Sequence, residues 1–214
     1  MRILITGGAG YIGSNTSRLF HKKGYQVEVL DNLSTGNDWA IKSFRHHMID
    51  ILDKNSLERV FTENNFDAVI HFAGKSLVAE SIKKPEYYYE NNVVGTKNVL
   101  ELMKIHDVKF FVFSSSAAIF GNPIKKIIDE EHPKRPINTY GANKLEIENM
   151  LEEYSRKYNI NFCSLRYFNA AGADVKGDLG ESRPEETHLI PNIMKAVLKN
   201  ETIKIYGGDY DTKD

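Results

Sequence analysis

Five short apolar runs, separated by stretches with helical spacing, leave this chain few architectures. The runs are "RILIT" (2–6), "QVEVL" (26–30), "DAVIHF" (67–72), "KFFVFS" (109–114) and "NFCSLRYF" (161–168), and a weaker strand is expected over 45–49. They are rich in Val, Ile and Phe and are bounded by polar or turn residues, as buried strands are. Between them, helices are expected at about 12–23, 54–64, 86–106 and 139–158. That alternation predicts parallel strands with crossover helices on both faces. The fold class is therefore α/β, a doubly wound parallel sheet. The chain's 214 residues, 41% of them hydrophobic, suit one substantial core of this kind.

After Phe168 the character changes. "NAAGADVKGDLGESRPEETH" (169–188) is polar and glycine-rich, "LIPNIMKAVLKN" returns to helical spacing, and "TIKIYG" (202–207) reads as a strand. The expected division is a main domain over 1–168 and the start of a smaller region built on top of the sheet over 169–214. That second region is too short to close a core of its own, so the chain reads as truncated.

Composition narrows the function. A net charge of -1 gives no electrostatic case for nucleic acid or an anionic membrane. The single cysteine, Cys163, rules out a disulfide framework and a thiolate metal cluster, and no metal site is expected. Lying in an apolar run, Cys163 is expected to be a buried structural thiol. Neither a signal peptide nor a membrane span is recognisable, which suits a soluble cytoplasmic protein.

"ITGGAGYIG" places Gly7, Gly10 and Gly13 at G-x-x-G-x-x-G spacing, after an expected strand and at the start of an expected helix. Small residues there let the backbone approach a pyrophosphate, whose charge the helix N-terminus favours. Asp31 closes the second strand, where a carboxylate accepts hydrogen bonds from a ribose diol and repels a 2′-phosphate. No basic residue follows in "DNLSTGND", so NAD is expected rather than NADP. Asp50 and Ile51, in "IDILD", offer a place for adenine at a strand end. "HFAGKS" (71–76) is a second small-residue turn, suited to backbone passing under a cofactor.

"NTYGANKLEIENM" puts Tyr140 and Lys144 at i and i+4 on one helical face. A free tyrosine, with pKa near ~10, is a poor base at neutral pH. Bringing it near ~7 takes roughly 4 kcal/mol in favour of the phenolate. A lysine ammonium and an oxidised nicotinamide ring, both positive, can supply that. "VFSSSAAIFG" (112–121) ends a strand in the hydroxyls of Ser114, Ser115 and Ser116, followed by Ala117 and Ala118.

Together these features resemble the extended short-chain dehydrogenase/reductase family, and within it the UDP-glucose 4-epimerases. The resemblance runs through "TGGAGYIG", "HFAG", "NNVVGT", "FSSSA", "YGANK", "LRYFNAAG" and "IYGGDYDTKD". It implies that Tyr140 is the catalytic base, that Lys144 binds the nicotinamide ribose and lowers the tyrosine pKa, and that Ser116 hydrogen-bonds the sugar 4-hydroxyl. It also implies an NAD site lined by Tyr11, Ile12, the turn Asp31, Asn32, Leu33, Ser34, Thr35 and Gly36, Asp50, Ile51, the turn Phe72, Ala73, Gly74 and Lys75, Asn91 and Phe168. Asn169, His188, Leu189 and Tyr206 would meet UDP-glucose or UDP-galactose. Phe120 departs from the family's usual tyrosine and is expected to be a tolerated packing change.

The helix at 86–106 is apolar on more than one side (Tyr87, Val93, Val94, Leu100, Leu102, Met103), and the resemblance points to a homodimer through it and the helix bearing Tyr140. Rival readings are a nucleotide-sugar 4,6-dehydratase or decarboxylase, an epimerase of UDP-uronates or UDP-N-acetylhexosamines, and a non-catalytic NAD-binding module. Dehydratases resembling this chain carry Asp and Glu where Ala117 and Ala118 stand.

Overall fold

The computed structural model describes residues 1–183, 186–205 and 207. Six parallel strands form one sheet: β1 (Arg2–Thr6), β2 (Gln26–Leu30), β3 (Arg45–His47), β4 (Ala68–His71), β5 (Phe110–Ser116) and β6 (Asn161–Tyr167). Their order is β3-β2-β1-β4-β5-β6, so the chain steps outward from β1 in one direction and then in the other. Beside β1 the strand order reverses, which opens a crevice at the carboxyl ends of β1, β2 and β4. The helices are α1 (Tyr11–Lys22), α2 (Lys54–Thr62), α3 (Val78–Lys83), α4 (Pro85–Tyr89), α5 (Gly95–Ile105), α6 (Thr139–Tyr158) and α7 (Leu189–Lys199).

Alternation along the central strands divides the core in two. On one face Leu4, Leu30, Val69, Phe111 and Phe113 pack against Leu57 and Phe61 of α2, Val99, Leu100 and Met103 of α5, and Ile147 and Leu151 of α6. On the other, Ile3, Ile5, Val27, Val29, Ala68 and Ile70 pack with Ile41, Phe44 and Phe20. Burying each such side chain contributes about 1.5–3 kcal/mol, which is why the centres of β1 and β4 are aliphatic.

The expected single helix over 86–106 is three segments: α4, a π-helical stretch over Glu90–Val94, and α5. Wider turns of this kind concentrate at functional sites, and this one carries Asn91 and Asn92. Val93, Leu100, Leu102 and Met103 are buried within the chain, whereas Tyr87 is exposed. Cys163 is exposed, contrary to expectation. It lies in register with Val112, on the face shared by half-exposed Phe110 and Leu165, and α6 covers the opposite face of this edge strand. "TIKIYG" is not a strand at 202–205; Tyr206 lies outside the described residues. No described helix is long and apolar enough to cross a membrane.

His71, at the end of β4, is held between two hydroxyls. Its Nδ1 lies 2.7 Å from Thr6 Oγ1 and its Nε2 2.9 Å from Thr96 Oγ1. Burial, with a smaller push from the Lys144 charge, lowers its pKa from 6.5 to about 3. The unfolded chain therefore binds a proton that the folded chain refuses, and stability falls as pH drops through 6.5. Acidification from pH 7 to 5 is expected to cost about 2 kcal/mol through this group. Urea unfolding of His71→Gln should show a flatter dependence over that range; a wild-type slope would assign the acid sensitivity elsewhere.

Candidate active site

The site is built at the carboxyl edge of the sheet, beginning with the turn from β1 into α1. Gly7 has φ +67°, and its N–H donates to Leu30 O at 2.8 Å. A Cβ at Gly13 would stand 2.2 Å from Gly7 O, so the loop closes on itself only without side chains. Gly10 precedes α1 as its N-cap, and no side chain caps the helix and no acidic residue occupies its first turn. Free amides at the positive end of a helix, in a cradle that side chains would fill, fit a pyrophosphate. Tyr11 and Ile12 begin the helix, and the Tyr11 hydroxyl donates to Gly172 O at 2.6 Å.

Asp31 follows β2 and is buried. Its two carboxylate oxygens accept from Ala9 N at 2.9 Å and from Leu33 N at 2.8 Å. Burial raises its pKa, against the pull of these amides and of Lys75. The carboxylate thus shapes the turn and ties it to the glycine loop, while each oxygen keeps acceptor capacity for a ribose diol. Leu33 has φ +56°, and the Asn32 side chain accepts from Ser34 N and donates to Asp50 at 2.8 Å. Gly36 packs on Ala9, and Thr35 lies beside it in the same turn. Asp50 caps its own turn through Leu52 N, and Ile51 is buried beneath Gly95.

The turn after β4 forms the floor between these groups. Phe72, Ala73, Gly74 and Lys75 are partly exposed, and Lys75 Nζ donates to Ser34 Oγ at 3.0 Å, bridging the two turns. Asn92 holds the backbone of the turn with both ends of its amide: Oδ1 accepts from Lys75 N at 2.8 Å and Nδ2 donates to Lys75 O at 3.0 Å. Asn91 in turn donates to Asn92 Oδ1 at 2.9 Å. Sequence reasoning named Asn91 and missed Asn92. The available signal was a pair of asparagines inside a helical pattern that does not favour them.

Tyr140 and Lys144 occupy successive turns of α6, facing the end of β5. The buried Lys144 ammonium donates to Ser114 O at 2.8 Å and stands 5.6 Å from the Tyr140 ring centre and 4.8 Å from that of Phe113. Burial lowers its pKa to about 8, so it stays mainly protonated at neutral pH. Burial raises the Tyr140 pKa, and the adjacent Ser116 hydroxyl pulls the other way. The phenol is thus not a base in the chain alone, and the further positive charge of an oxidised nicotinamide is what its surroundings lack. Ser116 ends β5 and accepts from Ala118 N at 3.1 Å, where the chain turns through Ala117–Ile119. Phe120 is buried against His132, with its ring 5.5 Å from the Arg166 guanidinium.

The residues expected to meet a sugar nucleotide are less gathered. Phe168 and Asn169 follow β6 at the same carboxyl edge and are exposed. His188 lies immediately before α7 with Nδ1 2.6 Å from Glu181, and Leu189, the first residue of α7, is exposed.

Residues 3–214 match the NAD dependent epimerase/dehydratase family. The chain belongs to that family. It is 48% identical over its whole length to the UDP-glucose 4-epimerase of Halalkalibacterium halodurans, of which it covers 64%. Its fold superimposes on UDP-glucose 4-epimerase from Brucella ovis in complex with NAD (TM-score 0.95, 42% identity, all of this chain and 66% of that one). The Bifidobacterium longum enzyme in complex with NAD+ and UDP is similar too (TM-score 0.93, 38% identity, all of this chain and 68% of that one). The chain therefore spans about two thirds of the length of such relatives. For an NAD dependent family, an uncapped glycine loop and a carboxylate after β2 are the expected cofactor apparatus.

Proposed function

We propose that this chain carries the cofactor-binding and catalytic part of an NAD-dependent UDP-glucose 4-epimerase, interconverting UDP-glucose and UDP-galactose. The observation supporting it most is the convergence of Tyr140, Lys144 and Ser116 at the strand edge that also presents the glycine loop and Asp31. In this reading residues 1–168 form the NAD domain and residues from 169 onward begin the UDP-sugar region, with Asn169, His188, Leu189 and Tyr206 as sugar-nucleotide contacts. The glycine loop with Tyr11 and Ile12 takes the pyrophosphate, the 31–36 turn the adenosine ribose, Asp50 and Ile51 the adenine, and the 72–75 turn, Asn91 and Phe168 the remaining surface. The protein acts in the cytoplasm as a homodimer.

Held by the glycine loop, Asp31 and the 72–75 turn, NAD would supply a reversible hydride acceptor for C4 of the sugar, so that the 4-keto sugar could take the hydride back on its opposite face. The chain's own residues manage the proton. Tyr140, as phenolate, takes the proton of the 4-hydroxyl as the C4 hydride leaves, and gives it back to the oxygen when the hydride returns. Ser116 orients that hydroxyl, and Lys144 supplies a fixed positive charge that favours the phenolate. The cofactor is regenerated each cycle, so there is no net oxidation.

The neutral Ala117–Ile119 turn favours epimerisation over dehydration. A 4-keto group acidifies the C5 proton, and a carboxylate at 117 or 118 could remove it and expel the 6-hydroxyl as water. Proton NMR of UDP-galactose incubated with the NAD-loaded protein, in its full natural length, should show UDP-glucose appearing with no change in mass. Loss of water from the sugar would instead establish a 4,6-dehydratase, and no conversion at all would leave a binding module.

A further inference from the structure

We infer that Glu148 is a positioning residue that sets Ser116 against Tyr140, holding the serine loop from both ends; this rests on the proposed role of Tyr140 as the base. Glu148 stands two turns beyond Tyr140 and one beyond Lys144 on the same face of α6, and it is buried. Its carboxylate accepts four hydrogen bonds from three partners, which fills its acceptor positions. Oε1 accepts from Ser115 Oγ at 2.7 Å and Arg166 Nε at 3.0 Å, and Oε2 from Arg166 Nη2 at 2.9 Å and Lys134 Nζ at 3.2 Å. Burial pushes its pKa up, but Arg166 first, then Ser115 and Lys134, bring it below the usual carboxylate range.

The partners give the cluster a direction. The three serines at the end of β5 are met in turn by three successive turns of α6. Ser116 lies against Tyr140, the Ser114 carbonyl accepts from Lys144, and the Ser115 hydroxyl donates to Glu148. Beyond Ser116 the same carboxylate acts through Arg166, whose guanidinium covers the Phe120 ring. Between these anchors the loop backbone lies directly on the helix, where a Cβ at Gly141 would come within 2.4 Å of Ala118 O. A purely structural demand for filled volume could be met by apolar side chains. A carboxylate with its acceptor positions taken fixes angles as well as distances, which a proton transfer needs.

The test uses Ser115→Ala, which removes one link with little loss of volume, and Glu148→Gln, which keeps an acceptor for Ser115. Asn64→Ala serves as a control, since it removes buried hydrogen bonds near the start of β1. Two readouts are taken on the full-length protein: kcat and KM for UDP-galactose, and the ultraviolet titration of Tyr140 as the difference from the matching Tyr140→Phe background, with and without NAD. Ser115→Ala is expected to lower kcat about tenfold or more with KM unchanged. It should also raise the Tyr140 pKa, because the Ser116 contact that lowers it is loosened. Glu148→Gln, which turns an amide NH2 toward Arg166 and Lys134, should lower kcat in the same direction, and Asn64→Ala should lose stability without moving the titration. Wild-type kcat and wild-type Tyr140 titration in Ser115→Ala would overturn the assignment. If the parent protein does not epimerise, the function falls, yet a shifted titration in Ser115→Ala still supports the positioning role and an unshifted one rejects it.

Discussion

Tyr140→Phe in the full-length protein is expected to lower epimerisation by about 10²–10⁴-fold while leaving NAD bound. The substitution removes one oxygen from a partly buried ring and leaves the ring's packing in place. What it takes away, in the proposed mechanism, is the step the chain itself performs on the substrate's proton. The proposed cofactor cradle is independent of that oxygen: it consists of backbone amides at the start of α1, the Asp31 carboxylate, and a 72–75 turn held by Asn92. Turnover measured by NMR and NAD content measured on the purified variant should therefore separate cleanly. A variant turning over within tenfold of wild type would show that another group takes the proton.

The electrostatics sharpen the expectation. Burial alone holds the phenol above its ordinary pKa, and Lys144 has itself been drawn down to about 8. Neither shift favours a base at neutral pH in the chain without its cofactor. If the cofactor's positive ring supplies the balance, the Tyr140 titration in the wild-type protein should fall on addition of oxidised NAD.

The parallel order of the sheet was legible because the central strands β1 and β4 are buried on both faces and read as apolar runs, and because helical spacing separates the runs. The glycine loop and the Tyr140–Lys144 pair were legible because both are short-range: spacing along the chain fixes their geometry. What failed was long-range. Cys163 reads as buried by its neighbours in sequence, but β6 is an edge strand, and its exposure is decided by what covers the outer face. The interruption at Glu90–Val94 has no periodic signature, and within it Asn92 bonds the Lys75 backbone, which lies 17 residues away. Glu148 was invisible for the same reason. A glutamate in a helix reads as a solvated surface charge until the fold brings Ser115, Lys134 and Arg166 around it.

Gly7→Ala is expected to be strongly damaging, and a second glycine supplies its control. Gly7 has φ +67°, which costs an alanine roughly 1–2 kcal/mol. The new Cβ would also stand 2.4 Å from Ala73 N and 2.5 Å from Phe72 C, and these are backbone atoms at the end of β4 that cannot swing aside. Relieving that contact means moving the 72–75 turn, at a further cost of about 1–3 kcal/mol. Gly24 has φ +86° and nothing within 4 Å of its Cβ position, so Gly24→Ala bears the conformational cost alone. Urea unfolding of the two variants should differ by the steric part. NAD affinity should fall in Gly7→Ala and hold in Gly24→Ala, because only the first displaces the turn from under the glycine loop. Equal destabilisation with unchanged NAD binding would mean that the two loops do not form a single cofactor floor.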